Sequence, residues 1–233
     1  MKKVRLVALA VVIALVASSI FRLYLYQTFL VPSSSMEPTL QIGERIAVSK
    51  FAAIQRGDII VFRDPGDWLP GEAPTPTPLK AALSKVGILP PFTGQDLVKR
   101  VVGVGGDRVV CCNAEGKLTV NRIAVDESSY VDPSGGTDRI DFDVTVPEDK
   151  FLVMGDNRDN SKDSRFHFRA DSVAEIDESS LIDGTTGSLE VADDAFVSSE
   201  DVVGKAVAVI WPVKDARRVT QSSEPLHRLE DEE

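Results

Sequence analysis

Leu97-Val98-Lys99-Arg100-Val101-Val102-Gly103-Val104 is a β-branched run with two cations in its middle. A strand alternates its side chains between faces, so Leu97, Lys99 and Val101 share one face and Val98, Arg100 and Val102 the other. One of the two cations must then face the more apolar side. A buried lysine is costly to keep charged, so its pKa falls and it becomes a neutral amine able to accept a proton. Lowering it by about 3 units would cost about 4 kcal/mol, which a folded site can impose. The same charges would equally guard an exposed edge strand against pairing with another chain.

Working outward, similar short runs recur at Thr28–Val31, Arg45–Val48, Asp58–Phe62, Arg108–Val110, Lys117–Val120, Asp143–Val146, Phe151–Met154 and Val202–Ile210. Gly, Pro and Asp separate them, which predicts a mainly β protein of antiparallel sheets. Residues 65–91 hold seven of the thirteen prolines, so no sheet ladder runs through them. The reading there is an insertion, about 65–95, with a short helix near Leu79–Val86. Residues 171–200 carry nine acids and no Lys or Arg, the composition of a second solvated insertion or flexible loop. These boundaries predict a basic end and apolar anchor over 1–26, a β-rich domain over 27–213, and a charged, disordered tail over 214–233.

The charge of −10 is unevenly spread: residues 1–22 carry Lys2, Lys3, Arg5 and Arg22 without an acid, leaving −14 on the rest. Between Arg5 and Arg22 lie 16 uncharged residues, LVALAVVIALVASSIF, slightly short for a membrane span of about 20. Arg22 can snorkel to lengthen it. Lysines before the run stay cytoplasmic under the positive-inside rule, which places the body outside. A cleaved secretory signal has the same basic start and apolar core. The aromatic continuation FRLYLYQTFLVP favours an uncleaved anchor feeding a strand, and both readings put the body outside the cytoplasm.

The same counts exclude other classes. An acidic body does not suit nucleic acid. Two histidines and two adjacent cysteines, Cys111 and Cys112, cannot make an ordinary zinc site, so no metal is expected. The external compartment permits a Cys111–Cys112 disulfide, but adjacent strand residues point to opposite faces, which favours free thiols. A Ser-His-Asp hydrolase would need His167 or His227, the second in the acidic tail; the base need not be histidine.

Two further clusters carry chemistry. In Val31-Pro32-Ser33-Ser34-Ser35-Met36-Glu37-Pro38-Thr39-Leu40, prolines bracket a serine run just after a strand and present it in a rigid turn, although an ordinary polar turn has the same composition. Met154 to Arg165, MGDNRDNSKDSR, has enough acids and arginines to interlock as an ion-paired positioning loop. It lacks the central Gly and closing Glu of an EF-hand calcium loop.

Taken in order, four blocks resemble the type I signal peptidases, membrane-bound serine proteases that remove signal peptides from exported proteins. They are Ser33–Leu40, Arg56–Phe62 (RGDIIVF), Val98–Gly103 (VKRVVG) and Gly155–Arg165. The Pro-rich insertion and the Cys111-Cys112 pair look most like actinobacterial members. The resemblance implies Ser35 as nucleophile and Lys99 as general base, with Ser33 and the Ser35 N–H as oxyanion donors. It implies Ser161 as the residue orienting the lysine, supported by the ion pair Asp163 and Arg165. Phe29, Val31, Pro32, Met36, Leu40, Ile46, Asp96, Leu97 and Val98 would line a groove for an extended signal-peptide end with small residues at −1 and −3. Leu97 stands where the family often has an aromatic, and Gly105 where it often has proline.

The implied partners are signal peptides of exported preproteins, membrane lipid and the export translocon, with no cofactor. The implied location is the cell membrane, single-pass, with the N-terminus cytoplasmic. Trp68, Leu69, Ile88, Leu89 and Phe92 would either touch the membrane interface or pack on the body. Self-cleaving Ser-Lys repressors share the base chemistry but are cytosolic and carry a DNA-binding domain where this chain has its apolar run. A membrane-anchored, non-catalytic scaffold or binding module is the reading from another class; it would be expected to have lost Ser35 or Lys99, and both are present.

Overall fold

Ile59-Ile60-Val61-Phe62 shows how the larger sheet is buried. In this computed structural model, which describes residues 26–66, 68–69, 77–78, 96–131, 140–168, 193–219 and 226, these residues form β3 (Ile59–Arg63). Ile59 and Val61 enter one buried cluster with Val31, Met36, Leu40 and Ile46, whereas Ile60 and Phe62 enter another with Trp68, Val101 and Val153. A strand covered on both faces has no polar face to present, hence the unbroken apolar run.

The large sheet runs β1 (Tyr26–Leu30), β2 (Arg45–Ser49), β11 (Val202–Trp211), β3, β4 (Asp96–Val104), β9 (Lys150–Met154), β10 (Val197–Ser198), with β12 (Arg217–Arg218) paired to β11. A smaller sheet orders β7 (Ile123–Ala124), β6 (Thr119–Val120), β5 (Arg108–Cys111), β8 (Phe142–Thr145). All the pairings are antiparallel. In β8, Phe142 and Val144 face inward while Asp143 and Thr145 are exposed, the alternation of a sheet with one wet face. Its inward residues join Val109, Leu118 and Val120 in a third cluster, which also takes Leu152 and Met154 from the large sheet. Gly204 lies at a bulge where β11 passes between β3 and β2; a Cβ there would collide with the Ser49 carbonyl oxygen.

The nine anticipated strands are present, with ends shifted by two residues at most. β7, β10 and β12 were not anticipated, since two residues show no period. β4 is an interior strand between β3 and β9, so its charges guard no edge. Both Lys99 and Arg100 are buried, at 3% and 1% exposure, where the alternation argument required only one.

Two expectations are corrected by packing. The stretch 171–200 is not solvated throughout: Ala195, Phe196 and Val197 at its end are buried, because this short apolar segment pairs Val197 with Phe151 on β9. The chain does not become a free tail at 214: Arg217 and Arg218 pair with β11, Val219 is buried, and Leu226 is fully buried in the third cluster. Of the two readings of Trp68, the structure has it packed on the body, 2% exposed, its indole N–H donating to the Asp194 carbonyl at 2.9 Å and its ring stacked 4.7 Å from that of His167. Of the anchor expected over 1–26, residues 1–25 lie outside the described residues and Tyr26 opens β1; the helix near Leu79–Val86 and Ile88, Leu89 and Phe92 also lie outside the described residues. Among the described residues no helix is long and apolar enough to cross a membrane.

Cys111 and Cys112 form a disulfide, with Cα atoms 2.9 Å apart across a cis peptide. The expectation of free thiols placed both residues on one strand, whereas β5 ends at Cys111 and Cys112 lies beyond it.

Candidate active site

The serine segment leaves β1 as a loop closed at its neck, where the Val31 N–H donates to Glu44 O and the Gly43 N–H to Val31 O, both 2.9 Å. Inside the loop, Glu37 N–H donates to Ser34 O at 3.0 Å and Leu40 N–H to Met36 O at 2.8 Å. Met36 and Leu40 are buried at 1% and 0% exposure. Burying such a side chain stabilises by about 1.5–3 kcal/mol, so the residue after Ser35 pins the turn to the core. Ser35 keeps 8% exposure.

Lys99 reaches this turn from β4. Its Nζ and Ser35 Oγ are hydrogen-bonded at 2.7 Å. Burial lowers the lysine from its ordinary 10.5 to about 8, against the upward pull of Asp163 and Asp156. Loss of hydration disfavours the charged form, so the neutral amine is a minority species at pH 7 and the majority above about pH 8. Ser33 Oγ lies 3.3 Å from Ser35 Oγ as a second hydrogen-bonding partner. Among the described residues the Ser35 N–H donates to no backbone carbonyl.

The segment 154–165 forms the interlocked loop expected of it. Asp163 caps the short helix α1 (Ser164–His167), accepting from the Arg165 N–H. Its carboxylate also accepts from Arg165 Nε and Nη2 at 2.8 and 2.9 Å, Ser161 Oγ at 2.7 Å and the Gly155 N–H at 2.9 Å. Burial alone would raise Asp163, yet the Arg165 hydrogen bonds and charge hold it below the usual carboxylate range. The Ser161 hydroxyl proton goes to Asp163, and among the described residues Ser161 makes no hydrogen bond to Lys99.

Sequence reading did not single out Gly155, Asp156, Asn157 or Asn160, which join this loop to the serine turn. The Asn157 N–H donates to Ser35 O at 3.1 Å and Asn157 Nδ2 to Ser34 O at 3.1 Å. Asn160 Nδ2 donates to Ser34 Oγ at 2.7 Å, and Thr39 Oγ1 to Asp156 Oδ2 at 2.5 Å. Arg100 completes the tie with two bonds to Asp156, 2.7 and 2.6 Å, and one to Gly57 O, 2.7 Å. The dense Asp and Asn usage after β9 was the available signal.

With this geometry in place, the chain can be set beside known proteins: residues 4–211 match the family described as signal peptidase, peptidase S26. The chain belongs to this family. A probable signal peptidase I of Mycobacterium leprae (strain TN) is 35% identical over 229 residues, covering 88% of this chain and 75% of that one. Signal peptidase I of Mycobacterium tuberculosis (strain H37Rv) is 36% identical over 231 residues, covering 88% and 71%. Signal peptidase I U of Bacillus subtilis (strain 168) is 36% identical over 179 residues, covering 71% and 81%. The mycobacterial matches agree with the actinobacterial character of the sequence.

Of the residues that the resemblance assigns to a groove, Val31, Met36, Leu40, Ile46 and Val98 share one buried cluster, with Phe29 packed against it. Leu40 and Ile46 have no exposed surface, so they support this region from within the core and do not line an open groove. Pro32 is exposed, and Asp96 and Leu97 are half-buried at the start of β4.

Proposed function

We propose that this chain is a signal peptidase I, a membrane-bound serine endopeptidase that cleaves signal peptides from exported preproteins after small residues at −1 and −3. The observation that carries the reading is the 2.7 Å contact between Lys99 Nζ and Ser35 Oγ in a setting that lowers the lysine to about 8. A neutral Lys99 amine takes the Ser35 proton as Oγ attacks the scissile carbonyl. The developing O⁻ is met by the Ser35 N–H and the Ser33 hydroxyl, which rotates from Ser35 Oγ to the oxyanion. The protonated lysine then supplies the leaving amine, and water releases the acyl group through the same base. The signal-peptide end adds as an extended strand beside β1 and the start of β4.

The run at 6–21 anchors the enzyme with its basic end cytoplasmic and its acidic body outside. Ser35 lies 13 residues beyond Arg22, close to where export signals emerge, so lipid and the translocon are its natural neighbours. The test is cleavage of a preprotein with Ala at −1 and −3 by the full chain in detergent or liposomes. Wild type should process it, and Ser35→Ala and Lys99→Ala should not; equal processing by all three overturns the assignment.

A further inference from the structure

Glu127 and Tyr130 lie in the segment that leaves β7 of the smaller sheet, and their side chains reach Arg158 within the 154–165 loop and Arg100 on β4. Arg158 Nη2 donates to Glu127 Oε1 at 2.5 Å and Arg158 Nη1 to Glu127 Oε2 at 3.2 Å. The Tyr130 hydroxyl donates to the same carboxylate at 2.9 Å. The Tyr130 ring, 1% exposed, lies under the Arg100 guanidinium at 4.3 Å. Each arginine continues into the site. Arg158 Nε donates to Gly155 O at 2.9 Å, and the Arg158 carbonyl accepts from Arg165 Nη2 at 3.0 Å. Arg100 holds Asp156 with two bonds.

We infer that Glu127 and Tyr130 are positioning residues for the proposed Ser-Lys chemistry, acting through Arg158 and Arg100 on the 155–157 backbone that grips Ser35. The inference rests on that assignment. A largely buried arginine keeps a fixed geometry only while a carboxylate matches its planar fork. Without Glu127, Arg158 turns toward water or another acceptor and releases Gly155 O. Gly155 leaves no room for a Cβ against Ser161 and the Ser35 carbonyl, and the next N–H but one, that of Asn157, donates to Ser35 O. Misplacement on the order of 1 Å at a reacting group costs about 100-fold in rate. The smaller sheet thereby supplies part of the rigidity of the active site without touching substrate.

The experiment uses the full chain in detergent with the preprotein above, comparing wild type, Glu127→Gln, Tyr130→Leu, Arg158→Gln and the Glu127→Gln/Arg158→Gln double variant. Melting curves establish the folded fraction of each. Glu127→Gln should lower kcat about 10–100-fold with KM within about threefold. The double variant should be no slower than Arg158→Gln alone, because both changes break one link. Wild-type kcat in Glu127→Gln and Tyr130→Leu overturns the inference. So does a loss that tracks the unfolded fraction, or one that multiplies with that of Arg158→Gln. Ser35→Ala and Lys99→Ala run alongside: activity in either would sink the Ser-Lys assignment instead, whatever Glu127 does.

Discussion

Gly155 and Ser161 meet with no room for a side chain between them: a Cβ on Gly155 would overlap the Ser161 hydroxyl and lie 2.6 Å from the Ser35 carbonyl oxygen. Two of these neighbours are fixed, one by its bond to Asp163 and the other as backbone. Gly155→Ala should therefore lower kcat/KM by about 100-fold or more and cost about 1–3 kcal/mol of stability through overpacking. Steady-state kinetics and denaturant melts check both. An alanine variant with wild-type cleavage would show that the loop and turn move apart without consequence.

The pH profile follows from Lys99. With the ammonium near 8, the neutral base is about one-tenth populated at pH 7 and nine-tenths at pH 9. The rate constant kcat/KM should rise about tenfold across that interval and level off above it. A flat profile from pH 6 to 10 would exclude a lysine base.

The same residue should weaken the fold it serves. Its folded pKa lies below its unfolded value, so the unfolded chain binds more protons between about pH 8 and 10.5 and stability rises with pH across that window. Below pH 8 the full penalty applies, at most about 3 kcal/mol by the size of the shift. Lys99→Met removes it and loses one hydrogen bond worth about 1 kcal/mol. The variant should be inactive yet more stable than wild type at pH 7, with the advantage gone by pH 10.5. Urea titrations at the two pH values decide; a variant less stable at pH 7 refutes the account.

Trp68 should behave as a core residue. Trp68→Ala removes a ring packed on Phe62 and His167 and should cost about 3–5 kcal/mol. Binding of the folded variant to liposomes should match wild type. A stable variant with weakened liposome binding would return Trp68 to the membrane interface.

The sequence revealed what pattern and order could carry. β4 was legible because β-branched residues dominate it, and Ser35 and Lys99 because each sits in a block whose neighbours also match. Its interior place in the sheet was not, since charges in a strand read alike at an edge and over a buried site. Phe196 and Val197 were hidden by the acids around them, because average composition outweighs two apolar residues. Gly155 and Asn157 were visible as loop residues, but their role depends on contacts more than 100 positions away in the chain. The disulfide was hidden because the strand ends between Cys111 and Cys112, a boundary that composition does not mark.

β4 contributes Val98 to the first buried cluster, Val101 to the second and, past the bulge after Val101, Val102 to the third. Lys99 is thus mounted where the three regions of packing join, and no partial opening can spare that point. Amide hydrogen exchange along 98–102 should then require the whole molecule to open, at rates set by its global stability. A chain so arranged has no state in which the body is folded while the strand carrying Lys99 is loose, so the chemistry proposed for Lys99 becomes available only when folding is complete.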